Sequence, residues 1–500
     1  MPDDSAGAAG VARWFTPSLG SILGVTALLN SLLFRSAEFF AWDGDVGRHV
    51  RVGRTILDSG AIPRVDLFSH TRGGTAFVPY EWLSEVVTAF AHGTAGLAGV
   101  VVLSAVLYTT AVLAVYRASD ALGSRRMIAF FVASLALLLQ SVHLLPRPHL
   151  FTTAFAAIFV VVLIRFARSD RPWLLAPLPL LMLVWVNSHG GFLIGFILLA
   201  AFLAGALLRS REFLEPRTAV RPLGLVLAAC AILSLVNPAG LQLWAHTTGY
   251  LGIDFLVDAT QEYGSVDFHA GYGQLFFVAL FAGPALWMTG RVRVSVLAAG
   301  LYLLFAAAAL HSARNIPLFT VCSMPWLAVW IDQALQGGPP PHRLLGRLDS
   351  WDRIDRLLRP GAASVAGLVL LWFALGPNRD AYRFDPSTFP VEAIRALDGV
   401  AVAGPVFNQL TWGGYLLFSR PDIPVFIDGQ TDFYGEELSR DYLVALKGQV
   451  GWDEVLDRHG IGWTLLESAE PLNQLLDLDR RWHRLYADRV ATVYRRTPAN

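Results

Sequence analysis

Along most of the chain the apolar residues neither alternate nor recur at helical spacing. They run on for roughly 18 residues or more, the length that crosses the hydrocarbon of a bilayer. Such runs begin near residues 17, 94, 127, 150, 173, 190, 222, 273, 294, 315 and 362, which predicts about eleven transmembrane helices. The first, from about Ser18 to Leu33, follows Arg13 and has no small-residue cleavage site, so it reads as a retained signal anchor. From about Asn378 onward the pattern changes. Charges become frequent and the apolar runs shorten to strand length. Val402–Phe407, Pro424–Ile427, Ile461–Leu466 and Val490–Tyr494 read as buried strands, and Trp452–His459 as an amphipathic helix closed by Gly460. The expected fold is an all-α polytopic membrane bundle over residues 1–377, with an outer loop at 38–93. A C-terminal extracytoplasmic α/β domain follows at 378–500.

Composition sharpens this picture. The chain is 54% hydrophobic and 16% charged, where a soluble domain carries about a quarter charged residues. Its formal net charge is zero, so nucleic acid is not an expected partner. Lys447 stands alone among arginines, a bias expected of a GC-rich bacterial genome. Cys230 and Cys322 both fall inside apolar runs, which excludes a disulfide framework and a cysteine metal site.

The arginines orient the helices. Arg117, Arg125 and Arg126; Arg165, Arg168 and Arg171; Arg209, Arg211, Arg217 and Arg221; Arg291 and Arg293; and Arg343, Arg347 and Arg353 occupy alternate connections, while 237–273 holds no arginine or lysine. The positive-inside rule makes the arginine set cytoplasmic, with the N-terminus inside and the C-terminal domain outside, in a bacterial inner membrane. The other polar residues then gather on the outer face. They include Asp43, Asp45 and Glu81 after the first span, and Arg147 and His149 in His-Leu-Leu-Pro-Arg-Pro-His. Asn187 and His189, Asn237, Glu262 and Asp267, and His311, Arg314 and Asn315 complete the set. Any one cluster could simply end a helix. Their convergence on one face predicts a single outer cavity, because ionisable groups at a membrane boundary are costly unless used.

The pattern Trp42-Asp43-Gly44-Asp45, Gly60-Ala-Ile-Pro63, Asp66-Leu-Phe-Ser69 and Glu81-Trp-Leu83, with Phe407-Asn408, Gly413-Gly-Tyr415 and Phe426-Ile-Asp428-Gly429 in the tail, resembles a bacterial branch of the GT-C superfamily. Those are membrane glycosyltransferases that use polyprenyl-phosphate-linked sugars. The resemblance implies that an acidic residue at the end of the first span is the catalytic base, which Asp43 or Asp45 matches. Thr411-Trp412-Gly413-Gly414-Tyr415 is similar to an oligosaccharyltransferase element but lacks its aspartate, which argues against an asparagine-linked acceptor.

The residue types suit that chemistry. A partly buried carboxylate can deprotonate an acceptor hydroxyl, and an arginine fork can hold a leaving phosphate. Asp43, beside Trp42, is the expected base and Asp45 its support. Glu81, Arg147, His149, His189, Glu262, His311, Arg314 and Asp428 are the expected substrate contacts. No cofactor is expected; a divalent metal is possible on the histidines but not indicated. Trp42, Trp82 and Trp185 fit an interfacial belt, or a surface on which sugars stack. The expected partners are a polyprenyl-phosphate-linked sugar, a glycan, lipid or protein acceptor, and the bilayer. Two rival classes are a flippase or transporter of lipid-linked sugars, which would show repeated halves, and a non-catalytic envelope assembly protein.

Overall fold

Helices account for most of the described residues. The computed structural model describes residues 14–34, 38–41, 43–169, 171–250, 264–337, 342–400 and 402–497. Arg13, Trp42 and Glu262, singled out by the sequence, lie outside the described residues. Seven helices are long and apolar enough to cross a membrane: Leu97–Leu122, Arg126–His143, His149–Ser169, Gly190–Leu207, Pro216–Leu233, Gly271–Met288 and Ala313–Gln336. An eighth results if Leu344–Leu357 and Gly361–Leu375, bent by 70°, form one broken span. Leu19–Phe34, Pro172–Val186 and Val296–His311 are apolar but shorter. Among the described residues, seven apolar helices reach full length singly and the others do not. Prolines and caps shorten the rest: Pro177 starts one helix, and Ser295 caps the start of another, which ends at Ser312. The result is a multi-pass membrane protein.

The polypeptide divides into two compact units. One comprises Met1–Phe34, Val102–Gly240 and Val257–Pro377, the other Arg35–Val101, Leu241–Leu256 and Asn378–Asn500. The insert after the first span thus belongs to the same unit as the C-terminal residues.

The first unit is a helical bundle packed around aromatics. Trp185 sits edge-on to Phe155 and Phe159. Tyr302 contacts Trp287, Phe319 and Trp330, and its hydroxyl donates to the carbonyl of Ala279. Buried Glu212 accepts from Ser210 Oγ (2.6 Å), Trp326 Nε1 (3.3 Å) and Ser295 Oγ, so this carboxylate joins three segments without an arginine. The arginines at 125 and 126, expected in a plain cytoplasmic loop, are instead paired with aspartates. Arg125 binds Asp332 and Asp349, and Arg126 binds Asp120 (3.2 Å) and Asp355 (3.0 Å).

The second unit carries a four-stranded sheet, β1 (Val406–Asn408), β2 (Trp463–Glu467), β3 (Trp482–Ala487) and β4 (Ala491–Arg496), in the order β1-β2-β4-β3. β1 runs parallel to β2 and the other pairs are antiparallel. Thr431–Leu446, Trp452–Arg458 and Pro471–Leu478 are helical, and Phe407, Phe426, Tyr434, Tyr442, Leu456, Leu466 and Leu476 form its core. The expected strand at 424–427 is not in this sheet. Val425 makes one parallel bridge to Ser69, and the side chain of Asn408 takes the place of a ladder. Its Nδ2 donates to the Ile427 carbonyl (2.9 Å), and its Oδ1 accepts from Phe426 N (2.8 Å). β3, with mostly exposed residues, has no apolar run and escaped the sequence reading.

Asn408→Leu keeps volume but strands the Phe426 amide and the Ile427 carbonyl, each at a cost of about 1–3 kcal/mol. The thermal midpoint of the purified protein should fall, whereas an unchanged midpoint would mean that water replaces the amide.

Candidate functional site

The helix Asp45–Ser59 organises the second unit's polar groups. It starts where Asp43 accepts from the amide of Asp45 (2.9 Å) and ends at Gly60, whose φ of 66° suits glycine. The two acids expected to matter thus stand together at a helix N-terminus, where unpaired amides favour negative charge. They differ in access. Asp43, one residue before the Gly44 N-cap, is 1% exposed and accepts from the Asp45 amide, whereas Asp45 is half-buried. Asp45 lies against Gly429, at which an added Cβ would sit 1.9 Å from Asp45 Oδ1. Gly44, Gly47 and Gly414 serve the same close approach. A Cβ at Gly414 would lie 2.2 Å from the Gly44 carbonyl oxygen, and one at Gly47 would lie 2.4 Å from that of Gly414. The Gly413-Gly414 pair therefore seats the Asp43–Asp45 turn on the short helix Gly413–Ser419.

One turn further along, Arg48 is 4% exposed. Its Nη1 lies 3.3 Å from Glu85 Oε1, its Nε 3.3 Å from Asp428 Oδ2, and its Nη2 donates to Gln430 Oε1. The guanidinium also lies over the Phe77 ring at 5.9 Å. Burial works against its charge, but Asp428 and Glu85 outweigh that and hold its pKa above the ordinary arginine value. His49 Nδ1 lies 3.3 Å from the same Glu85 oxygen. Burial opposes its protonation too, yet the hydrogen bond to Glu85 and the field of Glu81 keep the imidazole above its usual value. Burial pushes the Glu81 carboxyl up to about 7, against the pull of His49 and Arg48. Asp428 is raised by burial, partly countered by Arg48. Asp432 is raised by burial, countered by His246 and then Arg48. His246 Nε2 lies 3.5 Å from Asp432 Oδ2, with Tyr80 against its ring at 5.0 Å.

Glu81 and Asp428 belong to this polar network, and Asp45 lies beside it against Gly429. Arg48, His49, Glu85, Gln430, Asp432 and His246 were not among the expected contacts. Part of the signal was available. Asp45 and Arg48 are three apart in one helix, and Glu81 and Glu85 four apart at the start of another, so each pair shares a face. Asp66 takes a structural place: it accepts from Phe68 N, Ser69 N and Ser69 Oγ and shapes the turn that meets Val425. Trp412 donates to the Thr388 carbonyl (3.0 Å) and is buried.

The first unit holds the remaining residues. His143 and His149 stack at 4.3 Å, and the His149 Nε2–H donates to the His143 carbonyl (2.9 Å). Arg147, His189 and Arg314 lie within electrostatic reach of His143. His189 Nδ1 accepts from Gly191 N (2.9 Å), with Thr152 Oγ1 2.9 Å away, so one of its nitrogens is already used to start a helix. His311 ends its helix exposed, and Asn315 Nδ2 donates to the Ala308 carbonyl there. Trp185 is buried and donates to Thr152, so it belongs to neither a belt nor a sugar surface. Among the described residues, His49, Glu81 and Glu85 form a group sized for a metal ion, their ligand atoms within 4.8 Å of one another. Arg48 already supplies positive charge to Glu85 in that group.

No family model and no curated protein matches the chain. Solved structures do. The Archaeoglobus fulgidus oligosaccharyltransferase, tethered with an acceptor peptide containing the NVT sequon, is 12% identical, with a TM-score of 0.57 over 90% of this chain and 68% of its own. ArnT from Cupriavidus metallidurans, bound to undecaprenyl phosphate, is 16% identical, with a TM-score of 0.52 over 95% and 97%. The arabinofuranosyltransferase AftD from Mycobacteria is 13% identical, with a TM-score of 0.53 over 97% of this chain and 41% of its own. These are membrane glycosyltransferases of the GT-C superfamily, and this chain has their fold.

Two outcomes follow from this geometry. Glu81 is raised from 4.5 to about 7, so its protonated form is the one the fold prefers. Its stabilisation is complete below pH 4.5 and is lost as pH rises through about 7, and His49, raised above 6.5, adds the same sign beyond that. The thermal midpoint should fall across that window in wild type and fall less in Glu81→Gln; equal slopes would contradict the assignment. Gly429→Ala must displace the Asp45 carboxylate, so turnover of the purified protein should drop with little change in melting. Full activity would mean that Asp45 needs no fixed place.

Proposed function

We propose that this protein is a membrane glycosyltransferase. It moves a sugar from a polyprenyl-phosphate donor to an acceptor on the extracytoplasmic side, with inversion at the anomeric carbon. The observation that carries the reading is the Asp43–Asp45 turn. Within a GT-C fold, two carboxylates stand at the N-terminus of a helix fixed by a buried arginine, and one of them is reachable. ArnT, whose structure holds undecaprenyl phosphate, supports the donor class.

In this reading the acceptor hydroxyl oxygen attacks the anomeric carbon while the bond from that carbon to the phosphate oxygen breaks. The hydroxyl proton passes to a carboxylate, and polyprenyl phosphate leaves. A base has to reach the proton it takes. Asp45 is half-buried, whereas Asp43 is sealed and spent on the Asp45 amide, so the geometry favours Asp45 as base and Asp43 as its positioning residue. This reverses the roles expected from the sequence. Arg48 is already committed to Glu85 and Asp428, so it is not the group that meets the leaving phosphate.

The test is transfer from synthetic polyprenyl-phosphate sugars by the purified protein in proteoliposomes. Asp45→Asn should cut turnover by about 10²–10⁴ without altering melting. Asp43→Asn retains an acceptor oxygen for the Asp45 amide and should lose less. A dead Asp43→Asn beside an active Asp45→Asn would restore the opposite assignment. Normal turnover in both would remove the turn from catalysis.

A further inference from the structure

The helix His342–Leu357 leaves large apolar side chains on its open face beside its arginines. At about 100° per residue, Leu344, Trp351 and Ile354 share one side, with Arg347 among them. That side is the open one: Trp351 is 54% and Ile354 48% exposed. Two of the three carboxylates, Asp352 and Asp355, turn inward, whereas Asp349 is 55% exposed at its side chain. Asp355 accepts from Leu19 N (2.6 Å), Tyr116 OH (3.3 Å) and Arg126 Nη1 (3.0 Å), and Asp352 from Arg126 N (2.9 Å). Arg125 Nε donates to Asp349 (2.6 Å). A helix with water on its open face would place its charges there and its tryptophan inside.

Three further observations say what covers this face. The helix leads through Leu358–Pro360 into the apolar helix Gly361–Leu375 at a bend of 70°. If the latter spans the bilayer at an ordinary tilt, the former lies close to the membrane plane. The open face carries an open groove of about 370 Å³ lined by Gly346, Arg347, Ser350, Trp351 and Ile354, and nothing lies within 4 Å of a Cβ built on Gly346. The charge on that face is positive. Arg347 lines the groove, and Arg353, nearly two turns on, reaches Ser350 Oγ (3.5 Å). Tryptophan beside arginine at the end of a span is the composition of a headgroup layer.

We propose that His342–Leu357 lies in the headgroup layer and that its Arg347–Trp351–Ile354 face binds anionic phospholipid. Leu344, Trp351 and Ile354 enter the acyl boundary, and Arg347 and Arg353 take the lipid phosphate. The inward Asp352 and Asp355, tied to Arg126, keep the helix from rolling this face away. The helix thereby anchors the bundle to an acidic leaflet.

The test uses the full chain in proteoliposomes with an environment-sensitive fluorophore on Ser350→Cys; Cys230 and Cys322 are buried. Nitroxide placed near the headgroups of the lipid should quench the label, and aqueous iodide should quench it little. Spin-labelled phosphatidylglycerol should quench more than spin-labelled phosphatidylcholine at equal mole fraction. That preference should fall by about fivefold for each of Arg347→Gln and Arg353→Gln, with melting unchanged. Quenching by iodide as strong as for free dye would place the face in water and overturn the proposal. So would equal quenching by the two lipids. A label shielded from both lipid and iodide, with transfer between two labelled copies, would make the face a protein interface instead.

Discussion

A buried guanidinium cannot be left without partners, and Arg48 is the point on which the second unit turns. Its charge is held by Glu85 at 3.3 Å and Asp428 at 3.3 Å, each 2% exposed at the side chain. Removing one member of such a set strands a buried charge, at about 3–5 kcal/mol. That constraint ties together three segments far apart in sequence: the helix after the first span, the helix beginning at Trp82, and the loop at 428–430. Once they are tied, the glycines at 44, 47, 414 and 429 let backbones meet at distances no side chain would permit. Asp45 then has one place to stand. A carboxylate in a fixed and partly dry position is what general-base chemistry on a hydroxyl needs.

The same constraint divides labour among the cations. Arg48 is saturated by its own carboxylates and is not available to a substrate phosphate. Arg147 and Arg314 of the first unit lie within electrostatic reach of His143, whose ring meets that of His149 at 4.3 Å. In the first unit, too, charges are spent on architecture, as with Glu212 among Ser210, Ser295 and Trp326 and with Arg125 and Arg126 against the 349–355 aspartates.

Long apolar runs write themselves into a sequence, because crossing a bilayer leaves few alternatives. The helical bundle was legible for that reason, and the β1, β2 and β4 segments were legible as short apolar runs. What escaped depends on partners distant in the chain. β3 has exposed residues and, within the sheet, pairs with β4. The segment at 424–427 looks like a strand, but Asn408 supplies its hydrogen bonds. The acids at 43 and 45 stood out because of where they fall. Their relative access did not, because the bond from the Asp45 amide to Asp43 and the packing on Gly429 exist only in three dimensions. His246 and Asp432, almost two hundred positions apart, offered no spacing to read.

The measurement that bears most directly on this account is the anomeric configuration of the sugar transferred by the purified chain. It is read by nuclear magnetic resonance on the product formed from a polyprenyl-phosphate sugar of known configuration. A single carboxylate base acting on the acceptor predicts inversion, with one polyprenyl phosphate released per sugar transferred. Retention of configuration, or intact lipid-linked sugar crossing to the opposite leaflet with no phosphate released, would contradict it.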